Sequence, residues 1–243
     1  MKESINRFMG AMESEVGFII AVIIFIAVLF ALAILAEKNN KPQVNKTQKI
    51  TLIGIFSALA AILMYVEFPL PFAPDFYKID FSEVPVLISG FTCGPIAAVI
   101  TEFLKILITL LLKGTSTAFV GEFANFVVGC AFVIPATTIY WRKKNFKSAM
   151  AGMVSGTVIM TLVGCFTNAF ILLPAFAYLF GGINVSDLVA MGTAVNPAIK
   201  DLFTFVLLAV TPLNILKGVL VTILEGLVYT PINKAFKSIM KID

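Results

Sequence analysis

The sequence predicts an all-α integral membrane protein, and its composition is the first reason. Of the 243 residues, 59% are hydrophobic and 13% are charged, whereas a soluble domain has roughly 45–50% and about 25%. The mean hydropathy is +0.99. A soluble fold buries only one face of each element, so it has no place for this much apolar surface. Long apolar runs separated by basic segments are the second reason.

Apolar runs of about 20 residues predict the membrane helices. The first run, 16–36, carries no charge and is too long for the apolar core of a signal peptide. We therefore predict an extracytoplasmic N-terminus at 1–15, an extra transmembrane helix at 16–36, a basic cytoplasmic linker at 37–49 and a six-helix membrane domain at 50–243. The core spans are predicted at Ile50–Val66, Val84–Leu112 (two helices), Ala118–Trp141, Ala149–Ala175 and Leu202–Thr230. A short interfacial helix is predicted at Asp187–Thr193.

The distribution of lysine and arginine decides how Val84–Leu112 is divided. Cytoplasmic loops collect basic residues, and the basic segments are 37–49 with four, 142–147 with four and 233–241 with three. If all three lie inside, the chain must cross an odd number of times between the proline-rich loop Glu67–Ser82 and Arg142. Two helices that meet at Gly94-Pro95 satisfy this condition, and one helix does not. The C-terminus is then cytoplasmic.

Composition excludes several kinds of site. The chain has no histidine, so it lacks the commonest general base and metal ligand. It has no GxxxxGK[ST] loop, which a P-loop ATPase requires. The three cysteines are scattered through apolar stretches, which is typical of buried thiols rather than of a disulfide or metal site. The net charge of +4 gives no indication of nucleic-acid binding.

Polar side chains inside a membrane are costly, so each one is a functional candidate. Asn214 and Lys217 lie three residues apart, on one face of the last span. Lys217 has no acidic residue within a turn on its helix, so it either pairs across helices or meets a ligand. Asn168 lies deep in its span, where asparagine is often a helix–helix contact. Two amides and one strong donor suit a neutral heterocycle that alternates donors and acceptors.

A phosphate on the ligand is not expected. Phosphate groups usually require a cluster of arginine or lysine. The only arginines, Arg7 and Arg142, lie outside the predicted spans.

Two further pairs of polar residues lie in spans. Glu102 and Lys105 share a helix face, and a self-neutralising structural pair is the simpler interpretation. Glu122 and Asn125 share a face near the outer end of their span. They form either an anchor between helices or part of a polar pocket, and Asn125 is therefore a candidate binding residue.

The loop after the first core span, Glu67–Tyr77, is rich in proline and aromatic residues. Such a sequence forms a stiff apolar flap. The flap is either an interfacial aromatic belt or a lid over a flat ligand. The candidate contacts of a lid are Pro71, Phe72 and Ala73.

Four stretches of the chain resemble a known family. They are EFPLPFAPDFYKIDFSEVPVLISGFTCGPIAAVITEFLK (67–105), KGTSTAFVGEFANFVVG (113–129), TNAFILLP (167–174) and PLNILKGVL (212–220). Together they resemble the riboflavin-binding S components of the energy-coupling factor (ECF) vitamin transporters of bacteria, over about Lys49 to Lys237. The predicted helix at 16–36 lies outside the resemblance.

The resemblance implies a six-helix S-component core in the bacterial cell membrane. It implies a vitamin pocket near the outer face, closed by the loop between the first two core helices, with Asn168, Asn214 and Lys217 in contact with the flavin. Riboflavin is then the transported ligand, and no cofactor is expected. The implied partners are a transmembrane coupling protein and two cytoplasmic ATPases.

The resemblance also implies a docking surface. In S components the first core helix meets the coupling protein through small residues, and here Gly54-x-x-x-Ala58 and Ser57-x-x-x-Ala61 have the spacing that allows close approach. Ordinary packing within the chain is the alternative interpretation.

The function that these inferences favour is capture of riboflavin from outside the cell for ATP-driven uptake, without covalent chemistry in this chain. An S component for another neutral heterocyclic vitamin is the alternative. A membrane enzyme would need a nucleophile–base pair or paired acids, and no motif joins Glu102 to Glu122. A scaffold protein would not explain Lys217.

Overall fold

The computed structural model describes residues 15–38, 44–115, 117, 119–179 and 183–240. These residues are helical almost throughout, which confirms the predicted all-α class. The helices are α1 (Glu15–Glu37), α2 (Lys46–Tyr65), α3 (Glu83–Cys93), α4 (Pro95–Lys113), α5 (Val120–Lys143), α6 (Phe146–Thr167), α7 (Leu173–Leu179), α8 (Val185–Val195), α9 (Leu202–Phe205) and α10 (Thr211–Met240). Two short antiparallel strands, β1 (Phe68–Pro69) and β2 (Lys78–Ile79), close the base of the loop between α2 and α3.

Most of the predicted core spans form helices that can cross a membrane. Within the described ranges, five stretches are long and apolar enough: Lys46–Tyr65, Pro95–Lys113, Val120–Lys143, Phe146–Tyr178 and Leu202–Ile232. The sixth core helix, α3, has 11 residues and is therefore only about 16 Å long. Nine of those residues are buried, so neighbouring helices, rather than lipid, surround this short segment. The predicted interfacial helix is also present, as α8.

The break between α3 and α4 lies where the charge distribution requires it. Gly94 separates the two helices with a φ of +99°, a backbone conformation that favours glycine. Pro95 follows as the first residue of α4, where its missing N–H costs no helical hydrogen bond. Trp141 near the inner end of α5 donates its indole N–H to the carbonyl of Gly90, at 2.8 Å. This bond ties the end of α3 to α5.

Helix α1 packs against α4 and α5. The Phe25 ring meets the Phe123 ring edge-on, with centroids 5.9 Å apart. The Glu37 carboxylate accepts the backbone N–H of Ile96 and the ammonium of Lys49, each at 3.0 Å. Glu37 therefore fixes the end of α1 to the start of α4. That α1 crosses the membrane stays a prediction, and residues 1–14 and 39–43 of the predicted N-terminus and linker lie outside the described residues.

Two π-helical turns widen the outer parts of neighbouring helices. Asn168–Leu172 joins α6 to α7, and Val206–Val210 joins α9 to α10. Each ends two residues before a proline, Pro174 or Pro212. Proline lacks an N–H and crowds the carbonyl four residues earlier, so the helix takes in an extra residue at that point.

Helices α5 and α6 pack closely, and glycine makes this packing possible. A Cβ placed on Gly152 would lie 2.4 Å from the carbonyl oxygen of Ala136, and one on Gly156 would lie 2.6 Å from that of Phe132. Such glycines let membrane helices approach backbone to backbone.

We expect Gly152→Leu and Gly156→Leu each to lower the apparent Tm in detergent by roughly 3–10 °C, since overpacking costs about 1–3 kcal/mol. Gly54→Leu is the matched control, because a Cβ there meets no described atom within 4 Å. Thermal denaturation followed by size-exclusion chromatography measures the difference. Equal Tm values for all three variants would contradict the packing.

Candidate functional site

A cluster of five buried charged side chains joins the loop after α2 to three helices. Lys105 in α4 contacts Glu102 at 2.6 Å and Glu83 at 3.3 Å. Lys217 in α10 contacts Glu83 at 2.9 Å and Asp80 at 3.1 Å. Both lysines and all three acids are buried. In a medium of low dielectric each charge must be paired, so these contacts fix the relative positions of the segments that carry them.

The predicted pair of Glu102 and Lys105 is therefore present, but it is part of a larger cluster. Ser82 accepts a further hydrogen bond from Lys105, at 3.0 Å. Glu102 packs on Gly129 of α5, where a Cβ would lie 2.2 Å from its Oε1. Its other oxygen, Oε2, has no hydrogen-bond partner among the described residues.

Lys217 pairs across helices, which is one of the two outcomes expected for it. Its partners Asp80 and Glu83 were not singled out in the sequence. Asp80 lies 137 positions away along the chain, so no helical spacing relates the two residues. Charge balance could have indicated these partners. Asp80 and Glu83 lie at the start of a buried helix, so their carboxylates need cations from another part of the fold.

The two candidate asparagines meet at Gly164 of α6. Asn168 donates its amide to the carbonyl of Gly164 at 2.8 Å. Asn214 lies so close to the same glycine that a Cβ there would be 2.8 Å from its Nδ2. Asn214 donates to the carbonyl of Val210, also at 2.8 Å, a carbonyl at the end of the second π-helical turn. Asn168 and Asn214 therefore lie together at Gly164. Lys217 follows Asn214 by three residues on the same face of α10, and we call these three residues the polar strip.

The loop between α2 and α3 lies over this strip. Tyr77, which the sequence did not single out, donates its hydroxyl to Oδ1 of Asn168 at 2.6 Å. Phe76 stacks on Phe176 of α7 with centroids 5.2 Å apart. At the base of the loop, Glu67 binds Lys78 and also Lys113 at the end of α4. The aromatic side chains and these ion pairs hold the loop across the outer ends of the helices.

The candidate lid contacts differ in their exposure. Ala73 is buried and Phe72 is partly buried against the outer apolar core, whereas Pro71 is exposed. Asn125 is half-buried, and its Oδ1 has no partner among the described residues. Its neighbour Glu122 accepts hydroxyl bonds from Thr115 and Thr117, each at 3.0 Å, and so acts as an anchor for the loop between α4 and α5.

The small residues of α2 lie on two different faces. Gly54 and Ala58 are exposed in one stripe, together with Ile55, Leu59 and Ile62. Ser57 and Ala61 are buried inside the bundle, each no more than 2% exposed. The two predicted motifs therefore do not form one surface, and only the first is open to a partner.

Ionisation of the loop carboxylates follows from their neighbours. Burial raises the pKa of Asp80, but the ammonium groups of Lys217 and Lys105 outweigh it and lower that pKa to about 2. Partial burial likewise opposes ionisation of Glu67, and Lys113 and Lys78 lower its pKa overall. Both groups are therefore carboxylates at neutral pH.

The chemistry of the strip is that of binding. It offers amide donors and acceptors, one phenol and one neutralised ammonium, and no described group of acidic, cysteine or histidine side chains could hold a metal ion.

A separate groove of about 430 Å³ lies between α6 and α10, on the apolar surface, and Thr157, Thr161 and Thr222 are among its lining residues. None of the candidate site residues lines it.

Comparisons with known proteins agree with this architecture. A family model described as "ECF transporter, substrate-specific component" matches residues 48–229. The riboflavin transporter RibU of Staphylococcus aureus is 32% identical over 83% of this chain and 98% of its own length. The riboflavin transporter FmnP of Bacillus subtilis is 29% identical over 76% of this chain and 91% of its own. A solved S component of a bacterial ECF transporter aligns with a TM-score of 0.61 and 31% identity, covering 79% of this chain and 99% of that one.

Fold and comparisons thus define a multi-pass, all-α membrane protein. The chain belongs to the family of substrate-specific components of ECF transporters. It is a transport subunit and not an enzyme. Helix α1 precedes the part of the chain that the family model matches.

The structural role of the charge cluster can be tested by replacing lysine with methionine at two positions of α4, one inside the cluster and one outside it. Lys105→Met leaves the buried carboxylate of Glu102 without its lysine and Glu83 with Lys217 alone. Breaking a buried ion pair costs about 3–5 kcal/mol, so we expect the protein to fold poorly or to lose roughly 6–20 °C of apparent Tm. Lys113→Met is the matched control, because its pair with Glu67 is 38% exposed on the lysine side and is weakened by solvent. Equal apparent Tm values for the two variants would contradict a structural role of the cluster.

Proposed function

We propose that this chain is the riboflavin-binding S component of an ECF transporter, which captures riboflavin outside a bacterial cell and delivers it for ATP-driven uptake. The observation that carries the proposal is the convergence of Asn168, Asn214 and Lys217 under the loop between α2 and α3. The flavin ring has a uracil-like edge that alternates carbonyl acceptors with an N–H donor, and amides are suited to bind it. The curated relatives named as riboflavin transporters support this choice over another neutral vitamin.

The flavin also has two broad apolar faces. Phe72, Phe76 and Phe176 give the outer part of the bundle aromatic surface, and burial of apolar area contributes about 25 cal/mol per Å². In this proposal Pro71, Phe72 and Ala73 belong to the lid. Tyr77 leaves Asn168 when the flavin binds, because the phenol occupies the amide oxygen that the flavin N–H would use.

The proposed partners are the transmembrane coupling protein and two cytoplasmic ATPases of an ECF transporter. We assign the exposed stripe of α2 that contains Gly54 and Ala58 to the coupling protein. Ser57 and Ala61 support the stripe from inside, since both are buried.

Binding tests the pocket. Asn168→Ala and Asn214→Ala should each weaken riboflavin binding by roughly 10- to 100-fold, because an unpaired polar group costs about 1–3 kcal/mol. Lys217→Ala should weaken it at least as much, since it also removes the lysine that Asp80 contacts and leaves Glu83 with Lys105 alone. Quenching of flavin fluorescence measures the Kd. Asn45→Ala, an exposed asparagine before α2, is the control, and wild-type affinity in all three pocket variants would refute the assignment.

Transport tests the docking stripe. Ala58→Trp places a bulky side chain where close helix approach is proposed, so uptake of labelled riboflavin by cells should fall to background while binding to the purified protein is retained. Val158→Trp is the control, because Val158 is 56% exposed on another helix, α6. Normal uptake by the Ala58 variant would exclude this stripe as the docking surface.

A further inference from the structure

The buried cations are already neutralised by protein carboxylates. In the part of the chain that the structure describes, the buried lysines are Lys105 and Lys217, and each contacts two carboxylates. Three acids and two lysines leave the cluster with an excess of one negative charge when all are ionised. Lys217, the candidate ligand contact, therefore offers hydrogen-bond donors without a free positive charge.

This balance distinguishes neutral from anionic ligands. A carbonyl or hydroxyl oxygen can accept a hydrogen bond from Lys217 while its charge stays paired with Asp80 and Glu83. A phosphate brings nearly two negative charges at pH 7 into a region of low dielectric, where like charges repel strongly. No second buried cation is free to balance it among the described residues, since Lys105 is held by Glu83 and Glu102.

We propose that Asp80 and Glu83 determine charge selectivity: by neutralising Lys217 they make the site favour uncharged flavin over its phosphate, FMN. This inference rests on the proposed riboflavin-binding function and assigns it two specificity-determining residues. The absence of arginine from the predicted spans already disfavours a phosphate. The structure adds a second cause, because Lys217, the lysine among the proposed ligand contacts, is held by Asp80 of the loop and Glu83 of α3.

The first test removes one negative charge at a time without changing shape. Asp80→Asn and Glu83→Gln are nearly isosteric and can still accept a hydrogen bond from Lys217. Each should lower the ratio of the FMN Kd to the riboflavin Kd by about 10-fold, from a wild-type ratio that we expect to be at least ~100. Asp75→Asn is the matched control: it makes the same change in the same loop, at an exposed position, and should leave the ratio unchanged.

The second test uses the unaltered protein and so does not depend on how the variants fold. The monoanion fraction of a phosphate with a second pKa of about 6 rises from roughly 3% at pH 7.5 to roughly 75% at pH 5.5. Asp80 stays ionised over this range, because Lys217 and Lys105 lower its pKa to about 2 against the effect of burial. The other polar groups of the cluster are Ser82, which precedes α3, Glu83 of α3 and Glu102 of α4. FMN affinity should rise by ~5- to 20-fold on acidification, while riboflavin affinity stays nearly constant.

The possible outcomes distinguish a failure of the charge-selection proposal from a failure of the proposed riboflavin-binding function. Lower ratios in both cluster variants and the acid-dependent gain for FMN support charge selection. Riboflavin binding with unchanged ratios in the variants, or with FMN affinity independent of pH, overturns the inference and leaves the proposed function intact. If the cluster variants do not fold, the pH titration of the wild type decides alone. If the wild-type protein does not bind riboflavin, the proposed function fails and this inference fails with it.

Discussion

The organisation of this membrane protein depends on the cost of burying charge. Five ionisable side chains lie where little water reaches, and each lysine contacts two carboxylates from different segments. Removing one partner of such a cluster leaves an unbalanced charge, which is far costlier than losing a surface pair. The loop after α2, the short helix α3, the spanning helix α4 and the last helix α10 are therefore held in one arrangement. The proposed ligand contacts lie on this framework.

Backbone irregularity places the amides beside that framework. Pro174 and Pro212 each follow a π-helical turn, and the two turns lie next to each other in the bundle. Gly164 then lets the side chains of Asn168 and Asn214 approach one backbone. A regular helix with a larger residue at that point would separate the two amides. Proline and glycine, which weaken an isolated helix, here bring together the side chains of the candidate site.

The cost of placing charged and polar groups in a membrane made much of the fold and of the candidate site predictable from the sequence. The positive-inside distribution required two helices within Val84–Leu112, and Gly94-Pro95 marked the break between them. The cost of polar groups in a membrane singled out Asn168, Asn214 and Lys217. The partners of these residues were not predictable in the same way. Asp80 pairs with Lys217 across 137 positions, and Tyr77 reaches Asn168 across 91, so only the tertiary fold relates them. The burial of Ser57 and Ala61 was likewise not predictable from the sequence, because small residues have the same spacing on the inner and outer faces of a helix.

The most direct test of the account is the identity of the ligand that remains bound when the protein is purified from bacterial membranes in mild detergent. Its visible absorption spectrum, followed by mass spectrometry of the released small molecule, identifies that ligand without any assumption about the site. We predict a yellow protein whose released ligand is riboflavin, with little or no FMN. A colourless preparation that neither releases a flavin nor quenches the fluorescence of added riboflavin would contradict the account.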